Sequence, residues 1–251
     1  MQFEIIPILS LMEELYEKPR SPERFQDYLA KLQGGTKGDM VLPIGGFNPM
    51  AKAHVVEKIG ELQALEAEDL INETLAEVNA KQNDKEAITI KVVLNLADDL
   101  KGGWTNHYTT DFDSKFSINA LVVRNFCTPY FWTSEEYAAD LIVKRTLEYV
   151  YRTIYWKQNP KPQTLADHFE QEVFVQQQIG STEAPIDTNG FSEIEELYQV
   201  FKDSDDYSLL FNFFYGDEAS ASLGYATFGV AGNTGFEYAK IIAEKRTSIF
   251  D

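Results

Sequence analysis

Apolar side chains recur every three or four residues over most of this chain, and polar breaks between those runs mark where helices stop and start. Ile5, Ile6, Leu9, Met12 and Tyr16 form one stripe, which predicts a helix over 3–17 with Pro7 near its start. Ser21 followed by Pro22 reads as an N-cap with proline at the first helical position, and Phe25, Tyr28, Leu29 and Leu32 carry that helix to Gly34-Gly35. A short extended piece over 40–45 runs into Gly45-Gly46. Asn48-Pro49 then opens a long helix, by the same cap-then-proline logic, that continues to about Asn79 or breaks near Gly60. Ile88 to Leu96 gives the best strand signal in the chain, rich in β-branched residues. Thr133-Ser134-Glu135-Glu136 has the spacing of a capping box, opening a helix that runs to Trp156. Further helices are predicted from Thr164 to Gly180, Ser192 to Lys202 and Thr234 to Glu244, with a flexible loop at 181–190. The run Tyr207 to Tyr215 fits a buried strand or a helix equally well.

These runs predict a mostly α fold with a small antiparallel β-sheet or hairpin drawn from 40–45, 88–96 and 108–123. Neither the βαβ alternation of a doubly wound fold nor the even strand spacing of a sandwich is evident. A single compact domain over 1–251 is the expectation. The 17 Phe, 13 Tyr and 3 Trp are ample for a core of that size.

Charge changes the picture of partners more than of fold. A net charge of −18 repels phosphate backbones and anionic lipid, and no run of Lys and Arg offers a local exception, so neither nucleic acid nor membrane is expected as a partner. The single cysteine, Cys127, forms no intrachain disulfide and suits a reducing compartment. With no basic n-region before an apolar run, and no apolar run of the ~20 residues that span a bilayer, a soluble cytoplasmic protein is expected.

Candidate chemistry concentrates in the polar passage 98–113. On an extended segment the carboxylates of Asp111 and Asp113 would share a face, because strand side chains alternate. His107, with Asp98 or Asp99 across the Gly102-Gly103 turn, would complete an oxygen-rich set suited to a divalent ion or an acid–base pair. Trp104 and Tyr108 would wall such a pocket. The competing reading is local: aspartates gather in turns because they hydrogen-bond their own backbone.

A second constellation is Gly45-Gly46-Phe47-Asn48-Pro49-Met50-Ala51-Lys52-Ala53-His54. It resembles the strand–loop–helix signature of the nucleotidyltransferases, in which a G-x-F-N-P loop leads to an H-x-G-H motif. The resemblance covers about a dozen residues and implies a loop that contacts nucleotide phosphates. Ala51 stands where the motif has its first histidine and Ala53 where it has glycine, which leaves catalysis of that kind without its first imidazole. Apart from the resemblance, free N–H groups at a helix start make Gly45, Gly46, Asn48 and His54 candidates for holding an anion.

No catalytic motif is complete, so the sequence names no reaction, substrate or cofactor. It leaves two classes of function. One is a non-enzymatic interaction protein whose acidic surface meets a protein partner or a second copy of itself. The other is a protein that binds a small molecule or a divalent metal through the 98–113 loop, hydrolytic if it is an enzyme.

Overall fold

The strands of this protein run parallel, which corrects the antiparallel sheet expected from sequence. In a computed structural model that describes every residue except 37, 83–87, 101–102, 181–190 and 249–251, helices account for 60% of the chain. Residues Met1–Val150 form one compact unit and Tyr151–Asp251 a second. The loop expected at 181–190 lies outside the described residues.

In the first unit, β1 (Gln2–Ile5) pairs parallel with β2 (Thr89–Val92), and β2 with β4 (Phe126–Cys127). A separate pair joins β3 (Asn95–Ala97) to β5 (Tyr130–Trp132), also parallel. Both ladders keep one register. Lys91 faces Phe126 and Ala97 faces Trp132, an offset of 126 − 91 = 132 − 97 = 35 residues. The two sheets are therefore one ladder with a gap, and Pro129 explains the gap. Val93 N–H donates to Cys127 O and Asn95 N–H to Pro129 O, but the return bond to Val93 O would have to come from Pro129, which has no N–H. From Val92 to Ala97 every residue is buried. A strand covered on both faces reads as a continuous apolar run and belongs to a parallel sheet with helices packed on it.

The segments between strands are helical: α1 (Leu9–Glu17), α2 (Pro22–Gln33), α3 (Ala53–Ala64) and α4 (Ala67–Lys81) before β2, then α5 (His107–Phe116) and α6 (Asn119–Val123) before β4. Two expected segments are reassigned. Residues 40–45 carry no strand, and 108–123 is α5 and α6. The helix predicted over 3–17 divides instead, its first residues becoming β1. Glu68 of α4 accepts from the backbone N–H groups of Ile8 (2.5 Å) and Leu9 (3.0 Å), capping an α1 whose own N-cap supplies no side chain. Asn79, also of α4, takes both the N–H and the C=O of Phe3 that face away from β2. The long helix predicted from Asn48 starts at Ala53, and its break falls at Glu66 in the left-handed region (φ 51°), not at Gly60. Ser21 caps α2 as predicted, accepting from Arg24 N–H.

Helix α7 (Ala139–Gln158) begins five residues after Ser134, so the predicted capping box starts no helix. The second unit holds its C-terminal part with α8 (Leu165–Ile179), α9 (Ser192–Phe201), α10 (Tyr207–Ser222) and α11 (Thr234–Thr247). The ambiguous 207–215 run is thus helical. Phe169, Tyr198, Phe213 and Tyr238, one from each of α8 to α11, pack ring against ring with centroids 4.7–6.3 Å apart. Arg152 and Glu172 make a buried bidentate pair at 2.7 and 2.6 Å, and Trp156 donates to Gln171 beside it. Among the described residues no helix is long and apolar enough to cross a membrane.

Candidate functional site

Parallel strands deliver their carboxyl ends to one edge, and in open sheets with helices on both faces ligands bind outside that edge. Here β3 ends at Ala97 and runs into Asp98 and Asp99, while its neighbour β5 ends at Trp132 and runs into Thr133 and Ser134. Thr133 N–H still donates to Ala97 O, so the two loop starts leave the sheet side by side.

Each aspartate there holds a histidine. Asp98 Oδ1 hydrogen-bonds His54 Nε2 at 2.7 Å, and Asp99 Oδ2 bonds His107 Nδ1 at 2.7 Å. Thr133 Oγ1 stands 3.2 Å from Asp98 Oδ1 and 3.1 Å from Asp99 Oδ1, and its one proton serves either. Ser134 gives Asp99 its backbone N–H (3.0 Å) and its hydroxyl (2.6 Å). Burial alone would raise the Asp99 pKa, but the bonds from His107 and Ser134 outweigh it and hold the carboxyl down at about 2. Asp98 is fully buried, and its Oδ2 has no hydrogen-bond partner among the described residues. An unmatched carboxylate oxygen in a buried position is costly and calls for an explanation. The imidazole of His107 packs against the Trp132 ring, centroids 4.3 Å apart and planes tilted by 43°, with 40% of its side chain open to solvent.

The loop that carries His54 is fixed from beneath. Asn95, fully buried, donates from Nδ2 to Pro43 O (2.8 Å) and accepts Gly46 N–H at Oδ1 (2.9 Å). Its Nδ2 also reaches Val93 O at 3.3 Å, the carbonyl that Pro129 leaves without a ladder partner. A Cβ on Gly46 would lie 2.8 Å from both Asn95 Oδ1 and Tyr130 Cε1, so the close approach requires glycine. Arg24, 3% exposed, donates to the carbonyls of Tyr16, Lys18, Pro49 and Ala51, and the hydroxyls of Tyr16 and Tyr28 donate to Asn48 O and Ile44 O. Asn48 Oδ1 accepts from Met50 N–H and Asn48 O from Ala51 N–H, a local turn that delays the helix to Ala53.

The structure brings Asp98, Asp99, His107 and His54 together, joining two constellations that lie apart in the sequence. Asp111 and Asp113 are not. They lie on α5, where residues two apart face different ways. Asp111 pairs with Lys115 at 2.5 Å, and Asp113 accepts from Ser117 at 3.1 Å. The metal set of His107, Asp111 and Asp113 is therefore not assembled, and among the described residues no group of three or more His, Cys, Asp or Glu is placed to hold a metal ion. Of the anion candidates, Gly46 N–H and the Asn48 carboxamide are engaged within the loop, Gly45 is exposed, and His54 turns to Asp98. Trp104 is 59% exposed and Tyr108 36%, near and at the start of α5. The spacing of Thr133 and Ser134 predicts a helix cap, but both serve the aspartates instead. The signal for their true position is that they directly follow an apolar strand.

Comparison with protein-family models, with curated proteins and with solved structures finds no match.

Proposed function

We propose that the first unit binds a small polar molecule at the carboxyl ends of β3 and β5, where His107 and His54 carry protons to or from it. One observation carries this reading. Two adjacent aspartates each orient an imidazole, and the oxygen left over on the buried Asp98 has no partner among the described residues. A carboxylate on Nδ1 fixes the tautomer and ring plane of His107 and leaves Nε2 as the working nitrogen, the arrangement a general acid–base needs. For His54 the roles of the two nitrogens are exchanged, since Asp98 holds Nε2. Trp104 and Tyr108, both exposed, offer apolar flanks for a flat or ring-bearing ligand, while the buried Trp132 backs the His107 ring. Nucleotides are the first class to try, because the loop resembling that of the nucleotidyltransferases leads into the helix bearing His54.

The test is histidine-resolved NMR of the whole chain with a panel of nucleotides, sugar phosphates and small carboxylic acids. Shifts at His54 and His107 on addition of one class, lost in Asp98→Asn and His107→Gln while the fold is kept, support the site. A panel that moves neither imidazole, or binding indifferent to both substitutions, removes it.

A further inference from the structure

A groove of about 470 Å³ in the second unit lies on α9, and it uses none of the residues of the histidine site. Glu193, Glu196, Leu197 and Val200 fall at i, i+3, i+4 and i+7, on one face of the helix. The adjoining stripe of α9 turns to the core, with Ile194 buried at the edge of the groove and Tyr198 in the aromatic cluster. Phe201 and Phe228, rings 5.7 Å apart, continue the groove onto the loop before α11. Val200 is 72% exposed and Phe228 37%, so apolar surface is contiguous here and not scattered singly.

The loop wall is held in place. Asp217 accepts the backbone N–H groups of Phe228 (3.0 Å), Gly229 (3.0 Å) and Val230 (3.2 Å), and its own N–H donates to Val230 O. Gly216 lies at φ 79°, and a Cβ there would come within 2.7 Å of the Ala231 backbone, so helix and loop are locked together. A wall that is already ordered adds little entropy cost to docking. The charge of the surroundings selects the guest. Glu193 and Glu196 line the groove, and among its described lining residues there is no basic side chain. Between 192 and 206, Glu193, Glu195, Glu196, Asp203, Asp205 and Asp206 stand against Lys202 alone.

We propose that this groove docks a cationic amphipathic segment of a partner protein, its apolar side chains seated on Leu197, Val200, Phe201 and Phe228 and its Lys or Arg side chains meeting Glu193 and Glu196. Helix-in-groove recognition of this kind combines apolar anchors with a complementary rim. The probe is a fluorescein-labelled Leu/Lys amphipathic peptide of about four helical turns, titrated into the full chain by anisotropy, with a Leu/Glu peptide as control. The expected result is binding of the Leu/Lys peptide alone, with amide shifts confined to α9 and 228–234. Val200→Glu separates docking from mere attraction between opposite charges. It makes the protein more acidic, so attraction alone would tighten binding, whereas docking predicts about tenfold weaker binding. Val200 is exposed enough that the substitution leaves the fold intact, as circular dichroism will check. Glu193→Lys with Glu196→Lys is expected to weaken the same peptide. The proposal is overturned by unchanged or tighter binding to Val200→Glu, by shifts that map elsewhere, or by a concentration-dependent dimer that Val200→Glu abolishes, since that would assign the groove to a second copy of the chain.

Discussion

Asn95→Ala should loosen the His54 loop and cost about 3–5 kcal/mol, a large part of a typical domain's stability of about 5–15 kcal/mol. The side chain serves three backbone groups at once, all in the interior: Gly46 N–H, Pro43 C=O and Val93 C=O. A buried N–H left without a partner costs about 1–3 kcal/mol, and the Pro43 carbonyl loses a bond worth about 1 kcal/mol. The Val93 contact at 3.3 Å is the weakest of the three, and the remainder is the void left by the carboxamide. Urea unfolding of variant and parent gives the total, and hydrogen exchange over 43–49 locates it. The Val93 share can be isolated by adding Pro129→Ala, which restores an N–H facing that carbonyl. In a double-mutant cycle the cost of Asn95→Ala should fall by about 1 kcal/mol in the Pro129→Ala background. A cost below about 1 kcal/mol with unchanged exchange at 43–49 would refute the role given to Asn95. A cycle that closes to zero would refute the link to Pro129.

Three further outcomes follow from the packing. His168 is buried, which pulls its pKa down to about 4 against the opposing pull of Asp167 and Glu172. The unfolded chain therefore takes up a proton near pH 6.5 that the folded chain accepts only near 4, and acidification across that window should remove about 3 kcal/mol, read by urea midpoints from pH 7 to 4 and flattened in His168→Gln. The depressed Asp99 pKa contributes stability that is complete above about 4 and lost as the pH falls through about 2. Asp99→Asn should thus cost about 2 kcal/mol at pH 7, a difference that differential scanning at descending pH shows shrinking below pH 4 and mostly gone by pH 2. Gly46→Ala should cost about 1–3 kcal/mol from overpacking against Asn95 and Tyr130, and thermal unfolding compared with the harmless Gly60→Ala, whose Cβ meets nothing within 4 Å, measures it.

The apolar stripes made the helices legible, and in α2 the cap residues Ser21, Pro22 and Gly34 placed both ends as well. The sense of the sheet was not legible, although its sign was present. Val92 to Ala97 has no polar face to offer water, which is the mark of a strand sandwiched between helices. The strand β1 was hidden because Ile5 lies in phase with the stripe of α1, and only pairing with Thr89–Val92 separates them. The histidine site was half legible. Asp98, Asp99, His107 and His54 were each singled out, but in two constellations, because nothing in local pattern brings residue 54 beside residue 98. Asp111 and Asp113 were assigned to an extended segment, and on a helix their side chains diverge. Thr133 and Ser134 satisfied the spacing rule for a helix cap and were claimed by the carboxylates of a neighbouring strand end instead.

The attachment of Asn79 to Phe3 has a consequence outside the sheet's own stability. A border strand with free main-chain groups invites any stray extended peptide, including another copy caught mid-folding, to zip onto it. By spending one carboxamide on the donor and acceptor at the centre of β1, the molecule closes that border with a side chain from its own helix. Asn79→Leu would reopen it, trading a guarded margin for a sticky one, and the cost would appear as turbidity on refolding well before it appeared in the unfolding midpoint.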